Sequence, residues 1–128
     1  MNYSELTLRY FETAAGAGVL TGPGTFRGAA GSRRQGTWVQ FDVRVGSGII
    51  RDARFLAFGC PHTIAVSAWV AEHAIGRKAA AALALPESVG DLCERFAVPV
   101  EKRGRMLIIE DAWAAAVKSA LPPGQPHP

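Results

Sequence analysis

Between residues 37 and 45 the side chains alternate. Val39, Phe41, Val43 and Val45 are apolar, and Gln40, Asp42 and Arg44 between them are polar. A period of two with one apolar face marks a strand that covers a core on one side and meets solvent on the other. Gly46-Ser47-Gly48 follows, and then a second run over residues 49–58. Its apolar positions include Ile50, Ala53, Phe55 and Phe58, and Asp52 and Arg54 read as solvent-facing. Three turn residues fit a bulged hairpin better than a two-residue one. A connection this short cannot cross over a sheet, so the two strands pair antiparallel. The rest of the chain has to be arranged around that hairpin.

Residues 3–13 read as a short helix, with Ser4 as its cap and Leu6, Tyr10 and Thr13 at helical spacing. Residues 14–36 are glycine-rich and read as a flexible loop or weakly specified strand edges, with a third strand near residues 25–30. After the hairpin, Gly59-Cys60-Pro61 turns strand into helix, with Pro61 suited to the first helical position. That helix runs over 62–75 and stops at Gly76, where Arg77-Lys78 complements the dipole. Shorter helical stretches follow at 79–85 and 87–97, separated by Pro86. The last helix covers 102–121 with Met106, Ile109, Trp113, Ala116, Val117 and Ala120 on one face. The order predicts an α+β fold: an antiparallel three-stranded sheet with helices packed on one face. Residues 1–121 form one domain in this reading, and 122–128 a Pro-rich disordered tail.

Composition narrows the function classes. A chain of 128 residues suits a single domain, and 48% hydrophobic with 20% charged residues is globular. No apolar run is long enough to span a membrane, and the N-terminus lacks the pattern of a secretory signal. A cytoplasmic location is the default expectation. A net charge of +3 is too mild to imply nucleic-acid binding. Two cysteines cannot build a disulfide framework, and His62, His73 and His127 show no paired metal spacing. No catalytic triad order, phosphate-binding loop or dinucleotide fingerprint occurs.

Cys60 is the candidate reactive residue. Free N–H groups at a helix start favour anions, so a thiol placed there should ionise below its usual range. His62, two residues on, is placed to assist. Cys93 lies among Leu92 and Phe96 in a helical stretch and reads as core. His73 reads as a surface or capping residue near a helix end.

In order, these segments resemble one family, the U-type iron–sulfur cluster assembly scaffolds (IscU and the NifU N-terminal domain), over about residues 3–121. The start, Tyr3-Ser4-Glu5 with Tyr10-Phe11-Glu12 and Gly18, is similar to the family's Y-S-E-K-V-x-D-H-Y-E-x-P-R-N-x-G. Ile50-Arg51-Asp52-Ala53-Arg54-Phe55 with Phe58-Gly59-Cys60 resembles I-x-D-A-x-F-x-x-F-G-C-G, the most specific piece. Ile64-Ala65, Ser67, Glu72 and Gly76-Arg77-Lys78 resemble the segment that follows it, and Pro99, Lys102 and Glu110-Asp111-Ala112 resemble the family's last motif.

The resemblance implies a non-enzymatic assembly protein that carries iron or an iron–sulfur cluster. It implies a cysteine desulfurase as sulfur donor, a chaperone among its partners, and a monomer or weak homodimer. Position by position, the family's middle cysteine falls on Cys60, which makes Cys60 the implied metal or persulfide residue. The first cysteine falls on Gln35, the aspartate on Thr37, and the histidine–cysteine pair on Gly104-Arg105. The chaperone motif falls on residues 98–102, which makes Val98, Pro99 and Lys102 the implied docking residues. Arg105 in a ligand position repels a metal and would stabilise a sulfur anion at Cys60. Three readings follow. The first is a scaffold-like cluster assembly protein. The second is a persulfide carrier on Cys60, by analogy of fold with SufE-type sulfur acceptors. The third is a docking module without chemistry.

Overall fold

The computed structural model of the protein describes residues 3–122. The predicted tail lies, beyond Pro122, outside the described residues. The elements in order are α1 (Glu5–Thr13), β1 (Thr25–Ser32), β2 (Thr37–Gly46), β3 (Ile49–Phe58), α2 (Pro61–Ala74), α3 (Val89–Arg95) and α4 (Arg103–Ala120). The strands form one antiparallel sheet in the order β1-β2-β3. This is the α+β arrangement that the alternating hairpin predicts.

Val39, Phe41 and Val43 of β2 point inward with Ala53 and Phe55 of β3, and all are essentially inaccessible. Helices α2 and α4 cover this face, and α1 packs on α2. Ten of the fourteen α2 residues are buried, as expected of a helix enclosed on several sides. Helix α4 lies close against β1 at Gly28, where a built Cβ would stand 2.1 Å from the Ala116 backbone nitrogen. Trp113 of α4 meets Phe41 edge-on at 5.3 Å, and its indole N–H donates to the Ala82 carbonyl at 2.7 Å.

Several sequence expectations are revised. Only Ser47 and Gly48 lie between β2 and β3, both at positive φ (53° and 74°), so the hairpin turn has two residues. The bulge lies within the ladder instead: the register slips between Arg44 and Val45 and leaves Arg51 without a partner. That slip lets Ile50 and Ala53, three apart, both face the core. The stretch expected to be helical over 79–85 is one 3-10 turn, Ala79–Ala81, and a second such turn, Val100–Lys102, precedes α4.

The glycine-rich segment before β1 runs along the open edge of β3. Phe55 donates to the Gly16 carbonyl at 3.0 Å, and Gly18 donates to the Phe55 carbonyl at 2.8 Å. Its next residues fold over the outer face, so Asp42, expected in solvent, is fully buried. The Asp42 carboxylate accepts from Arg27 Nε at 2.7 Å, Arg27 Nη2 at 2.9 Å and the Leu20 amide at 2.8 Å. Burial opposes its ionisation, but Arg27 and the Leu20 amide outweigh that and hold its pKa below the ordinary value.

Candidate functional site

The end of β3, the start of α2 and the turn before α4 supply the site. Cys60 is the N-cap of α2, with extended backbone (φ −75°, ψ 168°), and Pro61 opens the helix. Pro61 has no N–H to offer, so the free amides of the first turn are those of His62 and Thr63. The thiol closes no formal capping hydrogen bond, yet both amides act on it. Thr63 Oγ1 lies 3.7 Å from Cys60 Sγ, and His62 Nδ1 lies 3.9 Å from it. Gly59 makes room for this arrangement. A Cβ there would meet Thr63 Oγ1 at 2.9 Å and Thr63 Cβ at 3.0 Å.

These contacts set the electrostatics of the sulfur. Partial burial pushes the Cys60 thiol up and is the largest single influence. The Thr63 amide and hydroxyl, the His62 amide and the charge of Lys102 together outweigh it, so the thiol is held below its ordinary value. His62 is 1% exposed, and its ring packs 4.9 Å from that of Tyr3. Burial, and then Lys102, pushes its pKa down, which leaves a neutral imidazole beside the sulfur near neutral pH. Cys93 is the opposite case. It is buried in α3 packing, and burial raises its thiol against a smaller lowering by Arg103.

Two implied site residues change place. Lys102, at the N-cap of α4, is the cation that acts on Cys60, whereas Arg105, one turn further along, is exposed. Val98 is 2% exposed and its carbonyl accepts from Arg103 Nε at 3.2 Å, so it belongs to the core and offers no docking surface. Val100, 78% exposed, is the apolar side chain that this turn presents, between half-buried Pro99 and Lys102. Thr63 and Tyr3 were not singled out from the sequence. Thr63 had a signal, since the third residue after an N-cap is where an amide and a hydroxyl return to the cap. Nothing in the sequence marked Tyr3 as a neighbour of His62. His73 Nδ1–H donates to the Trp69 carbonyl at 2.9 Å, and its ring stacks on that of Trp69, as a helix-end residue would.

Among the described residues no three His, Cys, Asp or Glu side chains come together as a metal cage. Cys60 and His62 supply two donors, and the lysine beside them disfavours a cation. The donor set therefore does not fit a metal or cluster held by one copy of this chain alone. The chemistry it does fit is that of a stabilised sulfur anion.

The chain matches the family described as NifU-like N terminal domain over residues 2–121. This chain belongs to that family. It is 31% identical over 122 residues to the iron-sulfur cluster assembly scaffold protein IscU of Haemophilus influenzae, covering 91% of this chain and 94% of that protein. It is 30% identical over 120 residues to the scaffold protein IscU of Escherichia coli K12, covering 91% and 92%. Among solved structures, the N-terminal part of a NifU-like protein from Brucella abortus superposes with a TM-score of 0.68 at 18% identity, covering 91% of this chain and 92% of that one. That likeness concerns the fold.

Proposed function

We propose that this chain is an iron–sulfur cluster assembly protein of the scaffold type, and that it handles sulfur at Cys60. The observation that carries this reading is the Cys60 thiol at the start of α2, held below its ordinary pKa by two amides, a hydroxyl and a lysine. The step is a sulfur exchange. The Cys60 thiolate attacks the outer sulfur of a donor persulfide, R–S–SH. A bond forms between Sγ and that sulfur, the donor's S–S bond breaks, and the donor leaves as the thiolate R–S⁻. Cys60 is oxidised to the persulfide level as the donor cysteine is reduced, so no outside oxidant is needed. A lowered thiol pKa supplies the nucleophile at neutral pH.

A cysteine desulfurase is the donor that fits this step, and other cluster assembly proteins are the recipients. The turn of Pro99, Val100 and Lys102, which presents the exposed Val100 side chain, is the surface we assign to a chaperone or other assembly partner. We place the chain in the cytoplasm; among the described residues no helix is long and apolar enough to cross a membrane. The protein carries its cargo and turns over no substrate of its own. The two-donor site favours a second reading inside the same pathway: Cys60 passes its sulfur on, and any cluster forms with ligands from another molecule.

Anaerobic incubation with a cysteine desulfurase, L-cysteine and ferrous iron separates these readings. The scaffold reading expects visible cluster absorption on the purified chain, lost in Cys60→Ser. The carrier reading expects Cys60 persulfide without a cluster. A Cys60→Ser protein that supports assembly as well as the unaltered chain contradicts both and leaves a docking module.

A further inference from the structure

Thr37 opens β2, and Gly59 follows directly on the last residue of β3. Trp38 pairs with Phe58 at the end of the β2–β3 ladder, and Thr37 and Gly59 are the next residues along the two chains. Thr37 shares the inner face with Val39 and Phe41, by strand alternation. Facing Cβ atoms on neighbouring strands stand about 4.5–5.5 Å apart. Gly59 has no Cβ, and the space where one would sit is bounded by Thr63 Oγ1 at 2.9 Å and Thr63 Cγ2 at 3.2 Å. The Thr63 hydroxyl in turn reaches Cys60 Sγ at 3.7 Å. Thr37 is 1% exposed, and its hydroxyl has no hydrogen-bond partner. A buried hydroxyl without a partner is costly, and an acceptor arriving beside it recovers that cost. The groups that act on the sulfur are the Thr63 hydroxyl, two amide N–H groups, a neutral imidazole and a lysine. That set suits an anion.

We propose that Thr63 and Thr37 form a hydroxyl pair that holds sulfur at Cys60, Thr63 on Sγ itself and Thr37 on the second sulfur of a Cys60 persulfide. The proposal rests on the reading that Cys60 carries sulfur, and it names the residues that seat it. Thr63 positions the thiolate before transfer. Thr37 has its partner only after transfer, when the outer sulfur, more acidic than a thiol, has lost its proton. Gly59 belongs to the device because any side chain there would push Thr63 away from the sulfur.

The test uses the full chain in two measurements. In iodoacetamide alkylation of Cys60 across a pH series, Thr63→Val moves the midpoint up by about 0.5–1 pH unit, the weight of one ordinary hydrogen bond. Thr63→Ser restores it, Gly59→Ala shifts it the same way as Thr63→Val, and Thr37→Val leaves it in place. The chain is then loaded with glutathione persulfide, freed of donor, and followed as the persulfide decays. Thr37→Val loses the second sulfur about 3–10-fold faster, the same single-bond magnitude, and Thr37→Ser keeps it. A wild-type midpoint in Thr63→Val, or a wild-type lifetime in Thr37→Val, overturns the pair while the sulfur-carrying reading stands. An unaltered chain that accepts no sulfur from the donor overturns both.

Discussion

At the scale of single residues, the ionisation of Cys60 depends on which cation acts on it. The sequence pointed to Arg105, because a resemblance aligns positions along the chain and says nothing of where a side chain ends. The charge that lowers the Cys60 thiol is that of Lys102, at the turn before α4, and Arg105 is exposed. In alkylation across pH, Lys102→Gln should therefore raise the Cys60 midpoint, and Arg105→Gln should leave it unchanged. The reverse result would restore the sequence-based assignment. In the unaltered protein Cys60 should react well before Cys93, whose thiol burial pushes up. Cys60 itself was legible from Gly59-Cys60-Pro61, since strand end, cap and first helical residue are local chemistry. Val98 was not. Its burial depends on how the chain before α4 tucks under Arg103, a tertiary contact without a local signal.

At the scale of elements, the hairpin and helices α2 and α4 were readable because their periodicities are strong. Their details were set by neighbours. The outward-facing Asp42 could be recognised as buried only by knowing that the segment around Leu20 folds over it. Because the folded-state pKa of Asp42 is depressed, the stability it contributes is fully present above the unfolded carboxylate pKa, about 4. That contribution is lost as pH falls through the folded value. Asp42→Asn should accordingly flatten the fall in stability below about pH 4, measured by denaturant titration at several pH values. The contact between α4 and β1 at Gly28 allows no side chain. Gly28→Val should cost about 2–4 kcal/mol in the same assay, within the range of severe overpacking. Ser4 caps α1 by accepting from the Thr7 amide at 3.1 Å, so Ser4→Ala should cost only about 1 kcal/mol. Equal costs for these two changes would contradict the close approach of helix and strand.

At the scale of the whole molecule, the fold brings three distant pieces of chain to one end: the β3–α2 junction, the turn before α4, and Tyr3 at the N-terminus, whose ring covers His62. The chain keeps the fold of the NifU-like family, and the donors beside the start of α2 are Cys60 and His62. The amides, the Thr63 hydroxyl and Lys102 at that end favour a sulfur anion over a metal cation. The most direct test is to incubate the chain with a cysteine desulfurase and L-cysteine, trap persulfides by alkylation, and determine by peptide mass spectrometry where sulfur has been added. One added sulfur on the Cys60 peptide, none on the Cys93 peptide, and none on a Cys60→Ser chain is the predicted result. Sulfur accumulating on Cys93, or no sulfur on Cys60 under conditions where the desulfurase turns over, would contradict the account.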